Sequence, residues 1–222
     1  DTEFQSGIVP DYCESDILES ELEYRTNIIV PESTILDKKI HELNFFTEKE
    51  IQRYYLPEKT ENKVLNPDPE SVFDGEYIVG MKKSRYVVFS YNNCNALFSD
   101  AIWIINPKRF SLKYLVSLFN SSLFGAWVRV NGQQKKDTYF ITNEVIKSFP
   151  VITPLDENLW LYQNLYELLV TAGKIEKETG GGTMQSYYSN ILDALIFSLY
   201  FNESMNREFL LLRSELYDTI PK

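Results

Sequence analysis

Ser111-Leu112-Lys113-Tyr114-Leu115-Val116-Ser117-Leu118-Phe119-Asn120-Ser121-Ser122-Leu123-Phe124-Gly125-Ala126-Trp127-Val128-Arg129-Val130 reads as one amphipathic helix. Leu112, Leu115, Val116, Phe119, Leu123, Trp127 and Val130 recur at spacings of three and four, which places them on one core-facing stripe. Ser111 is the expected N-cap, and Asn131-Gly132 the stop. Lys113 is expected on the solvent side. A helix of this kind needs a partner surface, and the flanking sequence supplies one.

Upstream of it the pattern changes period. Tyr77–Val79 and Tyr86–Ser90 are β-branched and aromatic, and Gly80-Met81-Lys82-Lys83-Ser84 between them predicts a hairpin with a basic tip. Ala101–Ile105 is a continuous apolar run ending at Asn106-Pro107, as expected of a strand covered on both faces. Further upstream, Thr47 and Glu50 form a capping-box pair that predicts a helix near Thr47–Leu56, and Asn27–Val30 reads as a short strand. Asn66-Pro67-Asp68-Pro69 marks a turn or hinge.

Downstream, Gln133-Gln134-Lys135-Lys136-Asp137 reads as an exposed polar loop before a short strand, Thr138–Ile141. Thr142 and Asn143 can cap one helical turn through Lys147. The remainder is helical: Glu157 to about Glu178, a Gly180-Gly181-Gly182 break, Gln185–Phe201, and Ser204–Tyr217. The expectation is an α+β fold: a small mixed or antiparallel β-sheet domain with a packed amphipathic helix, followed by a C-terminal helical region. Residues 1–70 form an acidic connecting segment of mixed helix and strand, 71–154 a β-rich core, and 155–222 the helical end.

Charge is distributed unevenly. Met81–Lys136 holds nine Lys and Arg against a single acid, Asp100, whereas the 80 residues before it carry 7 basic and 19 acidic side chains, and the 86 after it carry 6 and 12. The chain total of -10 conceals this basic island. Clustered positive charge attracts phosphate, and release of condensed counterions drives such binding. The competing reading is a solvated face that balances its acidic neighbours. Tyr86, Tyr91, Trp103, Tyr114, Trp127 and Tyr139 are interleaved with the island.

At 222 residues and 44% hydrophobic content the chain can bury a substantial core. Cys13 and Cys94 lie far apart without metal-site spacing and fit free thiols in a reducing cytoplasm, the expected location. No apolar run reaches the roughly 18–20 residues of a membrane span, so no membrane partner is expected. The first residue is Asp1 and not Met, which fits a fragment of a larger protein.

Catalytic patterns are sparse. An amino-methylating enzyme needs a glycine-rich cofactor strand-turn and an Asn-Pro-Pro-aromatic tetrapeptide; Asn66-Pro67-Asp68-Pro69 and Asn106-Pro107-Lys108-Arg109 lack the second Pro and the aromatic. Asp11 with Asp37-Lys38 can be forced onto a Mg²⁺-nuclease pattern, but two acids and a lysine arise by chance in an acidic chain. The single histidine, His41, leaves no His-based metal cluster, and no phosphate-binding glycine loop with Lys is present. No catalytic residue, metal ligand or cofactor site is therefore expected within the chain.

Four segments carry a resemblance. They are Tyr114–Leu123; Asn95-Ala96-Leu97-Phe98-Ser99-Asp100-Ala101-Ile102; Glu144-Val145-Ile146-Lys147-Ser148-Phe149-Pro150-Val151; and Asn190-Ile191-Leu192-Asp193-Ala194-Leu195-Ile196-Phe197-Ser198-Leu199-Tyr200. In this order and spacing, over about residues 73–200, the chain resembles the TaqI-like C-terminal specificity domain of adenine-specific DNA methyltransferases and fused type II restriction-methylation enzymes. Phe119 stands where that family usually has Leu, and Phe201-Asn202 replaces its usual Gly-Leu.

The resemblance implies a division of labour. An upstream domain of the same polypeptide would bind S-adenosylmethionine and methylate adenine N6, with this chain as the reader of double-stranded DNA. The family has no fixed list of base-contacting residues, so the site residues come from charge and loop position. Lys82, Lys83, Arg85, Lys108, Arg109, Arg129, Lys135 and Lys136 are expected on phosphates, and Asn131, Gln133 and Gln134 on base edges. A protein-interaction module and a nuclease fragment are the alternatives.

Overall fold

The computed structural model describes residues 42–65, 75–107 and 110–201. The Asn27–Val30 strand, the Asn66–Pro69 hinge, the Ser204–Tyr217 helix, Cys13, His41, the Asp11/Asp37/Lys38 pattern, Lys108 and Arg109 lie outside those residues.

Among the described residues ten strands form three small sheets. The first is β3 (Lys63–Leu65), β1 (Glu42–Phe46) and β7 (Ala96–Phe98). The second runs β2 (Tyr54–Tyr55), β6 (Phe89–Asn92), β4 (Tyr77–Met81), β8 (Ile102–Ile105). The third joins β5 (Lys83–Ser84), β10 (Thr138–Phe140) and β9 (Gln133–Lys135). The expected hairpin is present as antiparallel β4 and β6, with Val79 opposite Ser90. Among the described residues five helices follow: α1 (Leu112–Phe119), α2 (Ser122–Asn131), α3 (Asn143–Lys147), α4 (Asp156–Thr179) and α5 (Met184–Phe201). The fold is α+β, with mixed pairing: β1–β7 and β2–β6 are parallel and the other ladders antiparallel.

The main core lies between the four-stranded sheet and the helices. Ile78, Phe89, Ile105, Leu115, Phe119, Phe124, Leu165 and Leu192 are fully buried there. Each such side chain contributes on the order of 1.5–3 kcal/mol by leaving water. Phe89, Phe119 and Phe124 meet in tilted and edge-on contacts with centroids 4.9–5.8 Å apart. A second cluster, with Phe46, Tyr77, Val79, Phe98 and Ile102, fills the space under the β1 sheet.

Three local readings are corrected. The Ser111–Val130 stretch is two helices, broken at Asn120-Ser121. Ser111 caps α1 as expected, but Asn120 ends it and the Ser121 hydroxyl accepts from Phe124 N–H to start α2. The apolar stripe places Leu115, Val116 and Phe119 correctly in the core. It fails at Val130, which is 82% exposed because the break rotates the second half.

The Thr47/Glu50 pair forms, with Thr47 N–H donating to the Glu50 carboxylate at 2.8 Å, yet it closes a turn and not a helix. Tyr54 and Tyr55, β-formers by shape, enter β2 instead. Gln133–Lys135 is strand β9, paired with β10, and not a loop. The first two of the expected C-terminal helices stand where expected, and α4 stops at Gly180, whose φ of 74° is left-handed.

Candidate nucleic-acid interface

Asn120 is the pin on which the site is hung. Its Oδ1 accepts from Phe89 N–H (3.0 Å), and its Nδ2 donates to the carbonyls of Phe89 (2.7 Å) and Val116 (2.9 Å). The side chain therefore behaves as a further strand residue beside β6 while terminating α1. Two residues on, Ser122 N–H donates to Asp193 Oδ1 at 2.7 Å and its hydroxyl to the other oxygen, so α5 supplies the acid at the start of α2. Tyr200, on the same helix, donates to the Pro150 carbonyl (2.7 Å) and accepts from Ile152 N–H (3.2 Å). Several residues of the four resembling segments thus serve the scaffold. They hold α2 at a fixed place beside the third sheet.

Between α2 and that sheet runs a cleft of about 700 Å³. Arg53, Arg85, Tyr86, Asn120, Arg129, Gln134, Asp137 and Tyr139 are among its lining residues. Gly132 makes the close approach possible: a Cβ there would lie 2.5 Å from the Val128 carbonyl oxygen and 3.1 Å from that of Phe140. The β9–β10 hairpin turns at Lys136-Asp137, with Lys136 at φ 56°, a conformation that disfavours side chains with a Cβ. Gln134 Nε2 donates to the Lys136 carbonyl at 2.8 Å and ties the turn.

The predicted residues divide into groups. Arg85, Arg129 and Gln134 line the cleft together. Lys83, Gln133, Lys135 and Lys136 are exposed on the same small sheet and its turn, and Asn131 is exposed at the end of α2. Lys83 also rests over Phe140, 5.3 Å from the ring centre. Asn131 Nδ2 donates back to the Trp127 carbonyl at 3.0 Å, which occupies one of its donors.

Lys82 is not a hairpin tip. Its Nζ lies 4.7 Å from the centre of the Trp103 ring, and its backbone joins the second sheet to the third through Lys82 N–H to Ala101 and Ile141 N–H to Lys82. Burial lowers its pKa, with Asp100 opposing the shift. Lys113 pairs with Glu167 at 2.5 Å.

Sequence reasoning missed Arg53. No basic cluster surrounds it in the chain, and only the turn before β2 carries it to the cleft, where its Nη2 donates to the Asn120 carbonyl. The interleaved aromatics are mostly structural. Tyr114 is fully buried, and Trp103 and Trp127 donate to the carbonyls of Ile141 and Val145. Tyr86, 70% exposed, is the one of the six that is open to solvent. Among the described residues no cluster of His, Cys, Asp and Glu could hold a metal, and no helix is long and apolar enough to cross a membrane.

No family model matches the chain, and neither does any curated protein. Among solved structures it is similar to the type IIL restriction-modification enzyme MmeI in complex with DNA, with a TM-score of 0.51 at 17% identity over 66% of this chain. A chain from a type I restriction-modification system superposes at a TM-score of 0.43 and 12% identity, covering 71% of this chain and 38% of that one. The first likeness shows that the fold is shared with part of a restriction-modification enzyme; the second is too distant to add to it. The chain spans about a fifth of MmeI's length, 21%.

Proposed function

We propose that the chain is a sequence-specific double-stranded DNA recognition domain of a restriction-modification methyltransferase, of the TaqI-like specificity type. It would position a target adenine for a catalytic domain elsewhere in the parent protein. The observation that carries the reading is convergence: Lys83, Arg85, Arg129, Gln133, Gln134, Lys135 and Lys136, spread over more than fifty positions, lie around one cleft and one hairpin. A structural neighbour described as a restriction-modification enzyme in complex with DNA supports the same reading.

In this reading Lys83, Lys135 and Lys136 meet phosphates, which orient the duplex without reading it. Gln133 and Gln134 carry the amide pairs that suit adenine edges. S-adenosylmethionine is assigned to the upstream domain. Its sulfonium is a cation, which a cleft lined by three arginines and one aspartate does not suit.

Duplex binding by variants tests the assignment. Lys135→Ala with Lys136→Ala should weaken binding to every sequence about equally, whereas Gln133→Ala or Gln134→Ala should change the order of preference among sequences. Equal effects on all sequences from both sets would leave the hairpin as an ordinary charged surface.

A further inference from the structure

Three arginines from three separate elements line the cleft: Arg53 before β2, Arg85 after β5, and Arg129 in the last turn of α2. Arg129 reaches back along its helix, so that a Cβ built at Gly125 would lie 3.9 Å from its Nη2. Arg53 is half-buried, its guanidinium 5.2 Å from the Tyr54 ring centre, and its Nη2 is fixed on the Asn120 carbonyl. Its Nε is buried and has no hydrogen-bond partner. A buried, charged N–H without an acceptor is costly, on the order of 1–3 kcal/mol or more.

Among the described residues none of the three arginines forms an ion pair, and the lone acid lining the cleft is Asp137 at the hairpin turn. The backbone beside Arg53 is also strained: Tyr54 is fully buried with φ 77°, an outlier for a bulky side chain. Three cations against one acid leave the cleft net positive, which suits an anion with several acceptor oxygens. The planar guanidinium fork suits phosphate best.

We propose that this cleft is a phosphodiester subsite in which Arg53, Arg85 and Arg129 converge on a single backbone phosphate of the duplex. The inference rests on the DNA-recognition reading above and adds to it a residue, Arg53, and a stoichiometry. Three cations share one phosphate, and Asp137 on the wall disfavours a second. Tyr86, exposed at the same cleft, carries the Arg85 guanidinium over its ring, 5.7 Å from the ring centre.

Salt dependence counts phosphates, because each neutralised phosphate contributes about 0.9 to the slope of log K against log salt. The full 222-residue chain and its variants Arg85→Gln, Arg129→Gln and the double variant would be titrated with a mixed-sequence duplex. Arg85 and Arg129 are both exposed, so folding should survive; circular dichroism checks it. Because the remaining arginines still neutralise the shared phosphate, each single variant should lower affinity while flattening the slope by well under about 0.9, and the double variant should flatten it by no more than about 0.9. Arg53→Gln, if it folds, should behave as the other single variants do.

A double variant that flattens the slope by about 1.8 would mean two separate phosphates and overturn the proposal. Unchanged affinity and unchanged slope in the double variant, with Lys135→Ala/Lys136→Ala still flattening the slope, would also overturn it while leaving the DNA reading intact. No salt-dependent binding by the unsubstituted chain would overturn both. In a second arm, inorganic phosphate is added at constant ionic strength. Arginine Nε–H NMR signals that respond to it but not to duplex would mark a free-phosphate site, and would overturn the backbone assignment.

Discussion

At the scale of single residues, the most consequential side chain is Asn120, which is neither charged nor in the basic island's exposed part. It pairs both the N–H and the carbonyl of Phe89 from a buried site. Asn120→Ala leaves a buried N–H and a buried carbonyl unpaired, and should cost about 3 kcal/mol in urea unfolding, at the upper end for a polar-to-Ala change. Asn120→Asp should be no better, since a carboxylate offers no donor to the Phe89 carbonyl.

The sequence shows why this residue escapes a pattern reading. Asn120 and Ser121 interrupt an apolar stripe without changing its period, so a count of spacings runs through them. Their chemistry, capping and back-bonding to the main chain, is what breaks the helix. Lys82 and Arg53 mark the opposite limit. Lys82 looks free because Trp103 is twenty-one positions away, and Arg53 looks irrelevant because its basic neighbours in space are not its neighbours in the chain.

At the scale of elements, what matters is how closely α2 and the β9–β10 hairpin approach. Gly132 sets that distance. Gly132→Ala would drive a Cβ against the Val128 and Phe140 carbonyl oxygens, both main-chain atoms that cannot swing aside. The expected outcome is a loss of about 1–3 kcal/mol in stability with a parallel loss of duplex affinity, since the cleft must open to admit the methyl. Retained affinity in a destabilised variant would separate the hairpin's position from its function.

Element types were largely legible: β4, β6, β8, β10, α3, α4 and α5 stand close to where periodicity and turn residues place them. The missed strands are too short to show a period: β2 has two residues and is held by β6, distant in sequence, and β9 has three and is held by β10 across a tight turn.

At the scale of the whole molecule, a chain of net charge -10 carries a segment, residues 81–136, with nine basic side chains against one acid, so non-specific electrostatics favour nucleic acid at that segment over the rest of the chain. The buried tyrosines add a pH dependence. Burial raises the phenol pKa values of Tyr54, Tyr114 and Tyr166 above the ordinary value of 10.0. Unfolded, these groups ionise near that value; folded, they keep their protons, so the native state binds more protons and stability falls as pH rises past about 10. Their contribution is fully present below that pH. Phenolate absorbance of the folded chain should therefore lag that of the urea-unfolded chain, then rise together with loss of helical signal.

The central claim is that this chain binds duplex DNA through the basic face. It is tested most directly by the affinity of the 222-residue chain for a duplex between about 50 and 200 mM salt. If Lys83, Lys135, Lys136 and the arginine cleft each neutralise one phosphate, log K should fall against log salt with a slope of about -3 to -4. A binding constant that does not change over that range would contradict the account.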